Sequence, residues 1–182
     1  MAHANGVGAS VPRKEDDRFL RGKGQFIGDI FLGGTRELAF VRSPVAHAKL
    51  LGIQIPEKFR SSVFTAKDLT GVKPIRAVSP LPGFKSSEQP PLVTDKIRHV
   101  GELIAMCVAD TRAEAEDIAN QITVDYDALP AVVDMLDAQL PEAPRVHDSW
   151  SDNIYLEVGF EGDIESVARQ ASVSVTRQLR TS

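Results

Sequence analysis

A run of seven apolar residues followed at once by a capped helix constrains this fold more than any other feature of the sequence. The run, Leu103–Ala109, contains no charged residue and has the length of a strand. An uninterrupted apolar run of this length is typical of a strand covered on both faces. Because a bilayer-spanning helix needs about 20 apolar residues, the run predicts a buried strand and not a membrane span.

The residues after this run predict a helix and then a second strand. Thr111 and Glu114 have the spacing of a capping box, in which each side chain satisfies an amide of the first helical turn. Apolar residues then recur with the period of one helical face: Ala115, Ile118, Ala119 and Ile122. Residues 122–126 favour a strand that Pro130 closes, so residues 103–130 predict a βαβ-like unit.

Weaker patterns on either side predict further strands and turns. Residues 37–42 and 50–55 favour strands, and residues 63–69 favour a strand that enters a turn of helix. Residues 71–92 contain five prolines and predict a loop with one short strand. Residues 134–148 are rich in Pro and Asp and predict a linker.

A second helix and a terminal strand are predicted near the end of the sequence. Asp163 is a good N-cap for the helix. The apolar residues of that helix again share one face: Ile164, Val167, Ala168 and Ala171. Residues 172–180 alternate valine with polar residues, which predicts a strand.

These elements together predict an α+β protein with a mixed sheet and two main helices. Residues 1–34 are rich in glycine and charge and have little helical periodicity, so we expect an extended N-terminal arm. Residues 35–182 are expected to form the folded domain. The first six residues have neither a basic nor an apolar region of a signal peptide, and the sequence contains one cysteine, so we expect a cytoplasmic protein.

The charge distribution argues against nucleic acid as a partner. The net charge is −4, yet residues 1–100 contain 16 basic and 9 acidic side chains, and residues 101–182 contain 5 and 16. The basic residues are interspersed with acidic ones and no basic-aromatic motif occurs. The asymmetry indicates either two interaction surfaces of opposite sign or, more simply, two solvated faces of one domain.

The residue types alone do not reveal a convincing active site. The four histidines are widely spaced, and Cys107 lies within the apolar run, where a thiol is typically a small core residue. Asp125 and Asp127 would share one face of a strand, which leaves open a small acid/base enzyme that uses them or His99.

Four stretches, taken in order, resemble the opening of the large, molybdenum-binding subunit of the xanthine dehydrogenase/aldehyde oxidase family, especially its carbon monoxide dehydrogenase-like branch. They include the segments RFLRGKGQFIGDI, VRSPVAHAKL and VDYDALPAVVD. Their positions are residues 8–16 with 18–30, residues 41–50, residues 100–102 with 108–111 and 124–134, and residues 162–164.

The resemblance implies the α/β-hammerhead fold and an oxidoreductase, a molybdenum hydroxylase, of which this chain would be a non-catalytic scaffold domain or separate subunit. The whole assembly would oxidise an aldehyde, an N-heterocycle or carbon monoxide. Molybdopterin and iron–sulfur clusters are expected on other segments, so we predict no catalytic, cofactor-binding or metal-binding residue here. The implied partners are the downstream molybdenum-cofactor domains or chain, an iron–sulfur subunit and, further, a flavin subunit. No nucleic acid and no membrane is expected.

Contacts with those partners are predicted in two places, the glycine-rich arm and the turn after the first strand. The candidate residues are Gly22, Gly24, Phe26, Asp29, Arg42, Ser43 and Pro44. Arg42 could form a bidentate pair with a carboxylate, and a carboxylate of this chain is the favoured partner. The alternative function is an independent binding or assembly module that reuses the hammerhead fold.

Overall fold

The computed structural model of the chain describes residues 6–159, 162–177 and 179, with eight strands and three helices among them. The strands are β1 (Glu37–Arg42), β2 (Ala48–Gln54), β3 (Val63–Phe64), β4 (Ile75–Arg76), β5 (Glu88–Gln89), β6 (Lys96–Ile97), β7 (Leu103–Ala109) and β8 (Thr123–Ala128). The helices are α1 (Asp16–Leu20), α2 (Arg112–Ala119) and α3 (Ile164–Gln170). Short 3-10 turns occupy Ile27–Asp29, Glu57–Phe59, Ala66–Asp68 and Asp137–Gln139.

Two three-stranded antiparallel sheets form the body of the protein, which we define as residues 37–130. In the first sheet β7 lies between β1 and β3, and in the second β2 lies between β6 and β8. Strands β4 and β5 pair separately as a short antiparallel ladder. The body therefore has two layers of sheet, each centred on one seven-residue strand.

Strand β7 is buried on both faces, as its apolar run predicts. Ala105, Cys107 and Ala109 point into one core cluster, which also contains Ala115 and Ile118 of α2. Ile104 points the other way, into a second cluster with Ala48, Val93 and Ile97. Because successive side chains of a strand alternate between its faces, one face of β7 packs against α2 and the other against the second sheet.

The predicted βαβ-like unit is wrong in its pairing, although both strands and the helix are present. Strand β7 pairs with β1, whereas β8 pairs with β2 in the other sheet. Helix α2 therefore connects two sheets and does not cross over between parallel neighbours. In the described residues every strand pair is antiparallel, so the expected mixed sheet is replaced by antiparallel sheets within the expected α+β fold.

Most of the predicted element positions are confirmed. Strands β1, β2, β7 and β8 lie within two residues of their predicted bounds, and β3 leads into a 3-10 turn as expected. The loop of residues 71–92 contains two short strands where one was predicted. The arm also contains α1, because two aspartates favour its N-terminal turn and Asp17 pairs with Arg21 at 2.6 Å.

The last helix is confirmed and the terminal strand is not. Asp163 caps α3, with its Oδ1 accepting a hydrogen bond from the Ser166 amide at 2.8 Å. Residues 172–177 form no strand, and positions 178 and 180–182 lie outside the described residues. A valine-polar alternation indicates one apolar face, but a strand also needs a neighbour to receive its hydrogen bonds.

Candidate functional site

The buried residues of the described chain all lie between Ala39 and Ile122. The described residues of the arm, 6–34, include no buried side chain, and the same is true of residues 131–159 and 162–177. These flanking segments nevertheless contain many large apolar side chains. Those more than 60% exposed include Val7, Val11, Leu20, Phe26, Ile27, Phe31, Leu32, Val133, Met135, Ile164, Val167, Val173, Val175 and Leu179. Apolar surface is thus concentrated outside the body, which is typical of an interaction surface.

In the arm, four of the predicted contact residues form one local structure. The rings of Phe19 and Phe26 stack with centroids 5.7 Å apart and planes 9° from parallel. Gly24 allows this stack, because a Cβ there would lie 2.8 Å from Cδ1 of Phe19. Gly22 turns the chain with φ of +66°, and Asp29 accepts a hydrogen bond from the Phe26 amide at 2.9 Å. The stacked pair stays open to solvent, since Phe26 is 65% exposed.

The other three predicted contact residues lie at the end of β1 and in the turn that follows it, where Arg42 and Ser43 bind the chain itself. Arg42 donates a hydrogen bond from its Nη1 to the Gly101 carbonyl at 3.0 Å, and among the described residues it has no carboxylate partner. The expected ion pair of Arg42 does not form among the described residues, where Nη1 binds a backbone carbonyl. Ser43 is buried and exchanges hydrogen bonds with Val45, while Pro44 is exposed.

Two residues of the acid/base alternative, Asp125 and His99, are engaged in structural contacts, and Asp127 lies opposite Lys49 in the β2–β8 pair. The Asp125 carboxylate accepts a hydrogen bond from Nε2 of Gln54 at 2.7 Å, across the β2–β8 pair. His99 Nδ1 lies 3.8 Å from a carboxylate oxygen of Glu102. In residues 6–159, 162–177 and 179 no group of three or more His, Cys, Asp or Glu side chains is placed to hold a metal ion.

A buried polar cluster that the sequence analysis missed lies where the predicted linker contacts the body. We call residues 144–155 the strap. Lys96 of β6 is buried, and its ammonium donates to Oδ1 of Asp148 at 2.7 Å and to the carbonyl of Arg145 at 3.1 Å. His47, also buried, lies with Nδ1 2.6 Å from the Pro130 carbonyl, and the ring donates that hydrogen bond. No local sequence pattern signals this cluster, because Lys96 and Asp148 lie 52 positions apart in the chain.

A second lysine attaches the far end of the strap. Lys85 donates to Oδ1 of Asp152 at 2.6 Å, and its amide donates to the Tyr155 carbonyl at 2.7 Å. The hydrogen bonds from Lys85, Ser151 and the Ile154 amide lower the pKa of Asp152 to about 2. The hydrogen bond from Lys96 likewise holds the pKa of Asp148 below its usual value.

The imidazole of His147 lies at the centre of the strap. Its ring centroid is 4.4 Å from that of Trp150. Burial lowers the pKa of His147, and the positive charges of Arg98 and Lys96 lower it further, against smaller opposing effects of Asp148 and Glu102. The neutral imidazole is therefore the form that suits the docked strap at neutral pH.

The donor set of this chain does not fit an iron–sulfur cluster. Such clusters are held by four cysteine thiolates, or by two with two histidines, and the sequence has one cysteine. Cys107 is buried in β7, and burial raises the pKa of its thiol. Among the described residues, no helix has the length and apolar character required to cross a membrane.

Comparison with known proteins identifies this arrangement. Residues 21–130 match the family described as "Aldehyde oxidase and xanthine dehydrogenase, a/b hammerhead domain". The nicotine 6-hydroxylase large subunit of Paenarthrobacter nicotinovorans is 35% identical over 135 residues, which are 71% of this chain and 16% of that protein. The carbon monoxide dehydrogenase large chain of Hydrogenophaga pseudoflava is 33% identical over 139 residues, which are 74% of this chain and 17% of that protein.

The fold agrees with a solved structure over a longer span. The crystal structure of quinoline 2-oxidoreductase from Pseudomonas putida 86 matches 86% of this chain with a TM-score of 0.74 and 35% identity. The chain covers 20% of that structure's chain. It therefore spans about a fifth or less of the length of these relatives.

Proposed function

Because the chain belongs to the a/b hammerhead domain family of aldehyde oxidase and xanthine dehydrogenase, we propose that it is a non-catalytic scaffold domain, or a separate subunit, of a molybdenum hydroxylase. The observation behind this proposal is the separation of the chain into a body with its own core and flanks whose apolar side chains are exposed. Exposed apolar side chains in contiguous segments are favoured where a partner removes them from water.

The partners that we propose are the molybdenum-cofactor domains or chain and an iron–sulfur subunit, with a flavin subunit as a further member of the assembly. In this proposal the arm contributes the stacked pair Phe19 and Phe26, and the C-terminal segment contributes Ile164 and Val167. We place molybdopterin and the iron–sulfur clusters in those other parts, and the single cysteine of this sequence supports that placement for the clusters. The cytoplasmic location stays a prediction.

The reaction that we assign to the whole assembly is the oxidation of an aldehyde, an N-heterocycle or carbon monoxide. Relatives named nicotine 6-hydroxylase and carbon monoxide dehydrogenase support this range without selecting one substrate. The contribution of this chain is contact area and shape, so no step of the chemistry is assigned to its side chains.

Co-purification from the organism that encodes the chain tests the proposal. A tagged chain is expected to elute with a molybdenum-containing polypeptide, detected by metal analysis of the eluate. The double variant Phe26→Ser, Ile27→Ser should lower the recovered molybdenum at least tenfold. Leu51→Ser, at a residue of β2 that is 68% exposed, is the matched control and should leave recovery unchanged. A solitary, metal-free chain would contradict the proposal.

An independent binding or assembly module remains the second candidate. It is favoured by one observation, namely that neither core cluster contains a described residue of the flanks. In that case the arm variant would recover the same partners as the unchanged chain, because binding would use the body.

A further inference from the structure

The peptide group between Arg145 and Val146 is held on both sides. Its carbonyl accepts the 3.1 Å hydrogen bond from the Lys96 ammonium. Its N–H donates to Oδ1 of Asn153 at 3.0 Å. The Arg145 side chain, by contrast, is exposed. A protease that recognises arginine can thus reach the side chain. It cannot draw the peptide bond into its active site while the strap is docked, because both sides of the peptide group are hydrogen-bonded.

The strap is ordered by its own contacts and touches the body mainly through two lysines. Asn153 closes it internally, because its Nδ2 also donates to the Pro144 carbonyl at 3.0 Å. The attachments to the body include the Lys96–Asp148 and Lys85–Asp152 pairs and the edge-on contact of Phe84 and Tyr155. Two strap carbonyls add to them: Arg145 accepts from the Lys96 ammonium and Tyr155 from the Lys85 amide. No strap residue is buried, and none belongs to either core cluster.

The strap does not close over the second sheet. An open groove of about 520 Å³ lies between them, lined by His47 and Lys96 of the body and by Pro144 and Asp148 of the strap. Asp148 is itself 76% exposed at its side chain. Detachment would therefore break polar contacts and little apolar packing, and the core would keep its interactions.

We propose that the strap is a detachable clasp, which Lys96 and Lys85 hold on the body and which opens as a unit while both sheets stay folded. The strap joins the body to residues 156–179, so its docking determines where that apolar segment starts. This consequence for partner contact rests on the proposed function, whereas the clasp itself does not.

Limited trypsin digestion of the full chain, followed by mass spectrometry, tests the clasp. Arg145 is the only lysine or arginine in residues 131–159, so cleavage after it reports strap opening alone. In the unchanged chain this cleavage should be at least tenfold slower than cleavage after Arg169 in α3, which is exposed. Asp148→Asn should accelerate cleavage after Arg145 about tenfold, as expected for loss of a hydrogen bond between charged groups. Lys96→Met should accelerate it more, because both acceptors lose their donor.

Two controls separate clasp opening from general unfolding. Lys67→Met and Asp117→Asn remove exposed charges whose side chains form no hydrogen bond or ion pair among the described residues, and both should leave the Arg145 cleavage rate unchanged.

Hydrogen exchange of β7 amides should be the same in Asp148→Asn as in the unchanged chain. Equal cleavage rates at Arg145 and Arg169, or β7 exchange that accelerates together with cleavage, would overturn the clasp. The arm variant Phe26→Ser, Ile27→Ser separates the two proposals. It should lower molybdenum recovery, which tests the scaffold function, and leave the Arg145 cleavage rate unchanged, which reports the clasp.

Discussion

At the scale of single residues, Gly101 lies in the turn before β7 and is hydrogen-bonded to the end of β1 and the residue after it. Its φ is +82°, its N–H donates to the Ser43 carbonyl at 2.8 Å, and its own carbonyl accepts the Arg42 hydrogen bond. Nothing lies within 4 Å of a Cβ built there, so a side chain would be excluded by backbone conformation and not by crowding.

Gly101→Ala is therefore expected to lower the free energy of unfolding by about 1–2 kcal/mol, the cost of left-handed backbone for an L-residue with a Cβ. Urea denaturation followed by circular dichroism measures this. Gly52→Ala is the control, because a Cβ there would make an ordinary 3.6 Å contact with Asp125 and needs no left-handed backbone. An equal loss in the two variants would show that the turn conformation is not the cause.

His147 is expected to make strap docking depend on pH. Its pKa is lowered by burial and by Arg98 and Lys96, while Asp148 and Glu102 oppose the shift, so the undocked strap binds the proton more tightly. Docking should be complete above pH 6.5, the ordinary value, and should weaken as pH falls below it. Trp150 is the only tryptophan, and its emission maximum should move to longer wavelength over that range.

The matched variant is His147→Gln, which keeps a polar side chain but cannot titrate. It should remove the shift of the Trp150 emission maximum between pH 7 and pH 5. A shift that persists in full in His147→Gln would assign the pH dependence to another group.

At the scale of elements, α2 depends on its N-terminal capping box. Oγ1 of Thr111 accepts from the Glu114 amide at 3.3 Å, and the Glu114 carboxylate accepts from the Thr111 amide at 3.2 Å. The helix has only eight residues, so a short helix of this kind is marginal without its packing and caps.

Thr111→Ala should lower the free energy of unfolding by about 1 kcal/mol, because one amide of the first turn loses its acceptor. Thr111→Ser retains the hydroxyl and should restore most of that loss in the same urea titration. If serine destabilises as much as alanine, the methyl group and not the cap is responsible.

At the scale of the whole molecule, the flanks make an isolated chain prone to association. The core clusters of the body are buried, whereas the arm presents Phe26, Ile27 and Phe31 at 65%, 89% and 88% exposure. Light scattering of the purified chain should show a mass that rises with concentration, and Phe26→Ser, Ile27→Ser should reduce that rise. A strictly monomeric species at high concentration would contradict the expectation.

The sequence patterns determined where these strands and helices lie, because each pattern reflects interactions between residues close together in the chain. The apolar run of residues 103–109 indicates a strand buried on two faces, and the spacing of Thr111 and Glu114 indicates a capped helix start. The family resemblance likewise depends on sequence alone, and residues 21–130 confirm it.

Only the tertiary structure decided which strands pair and where the polar side chains of distant segments meet. The apolar run of β7 specifies that both of its faces are buried, but the sequence does not specify which neighbour receives the hydrogen bonds of a strand. The structure places β7 and β8 in different sheets. The Lys96–Asp148 contact joins residues 52 positions apart, and Arg42 binds Gly101 across 59. Such contacts depend on how the chain folds back on itself, a long-range property that no local pattern contains.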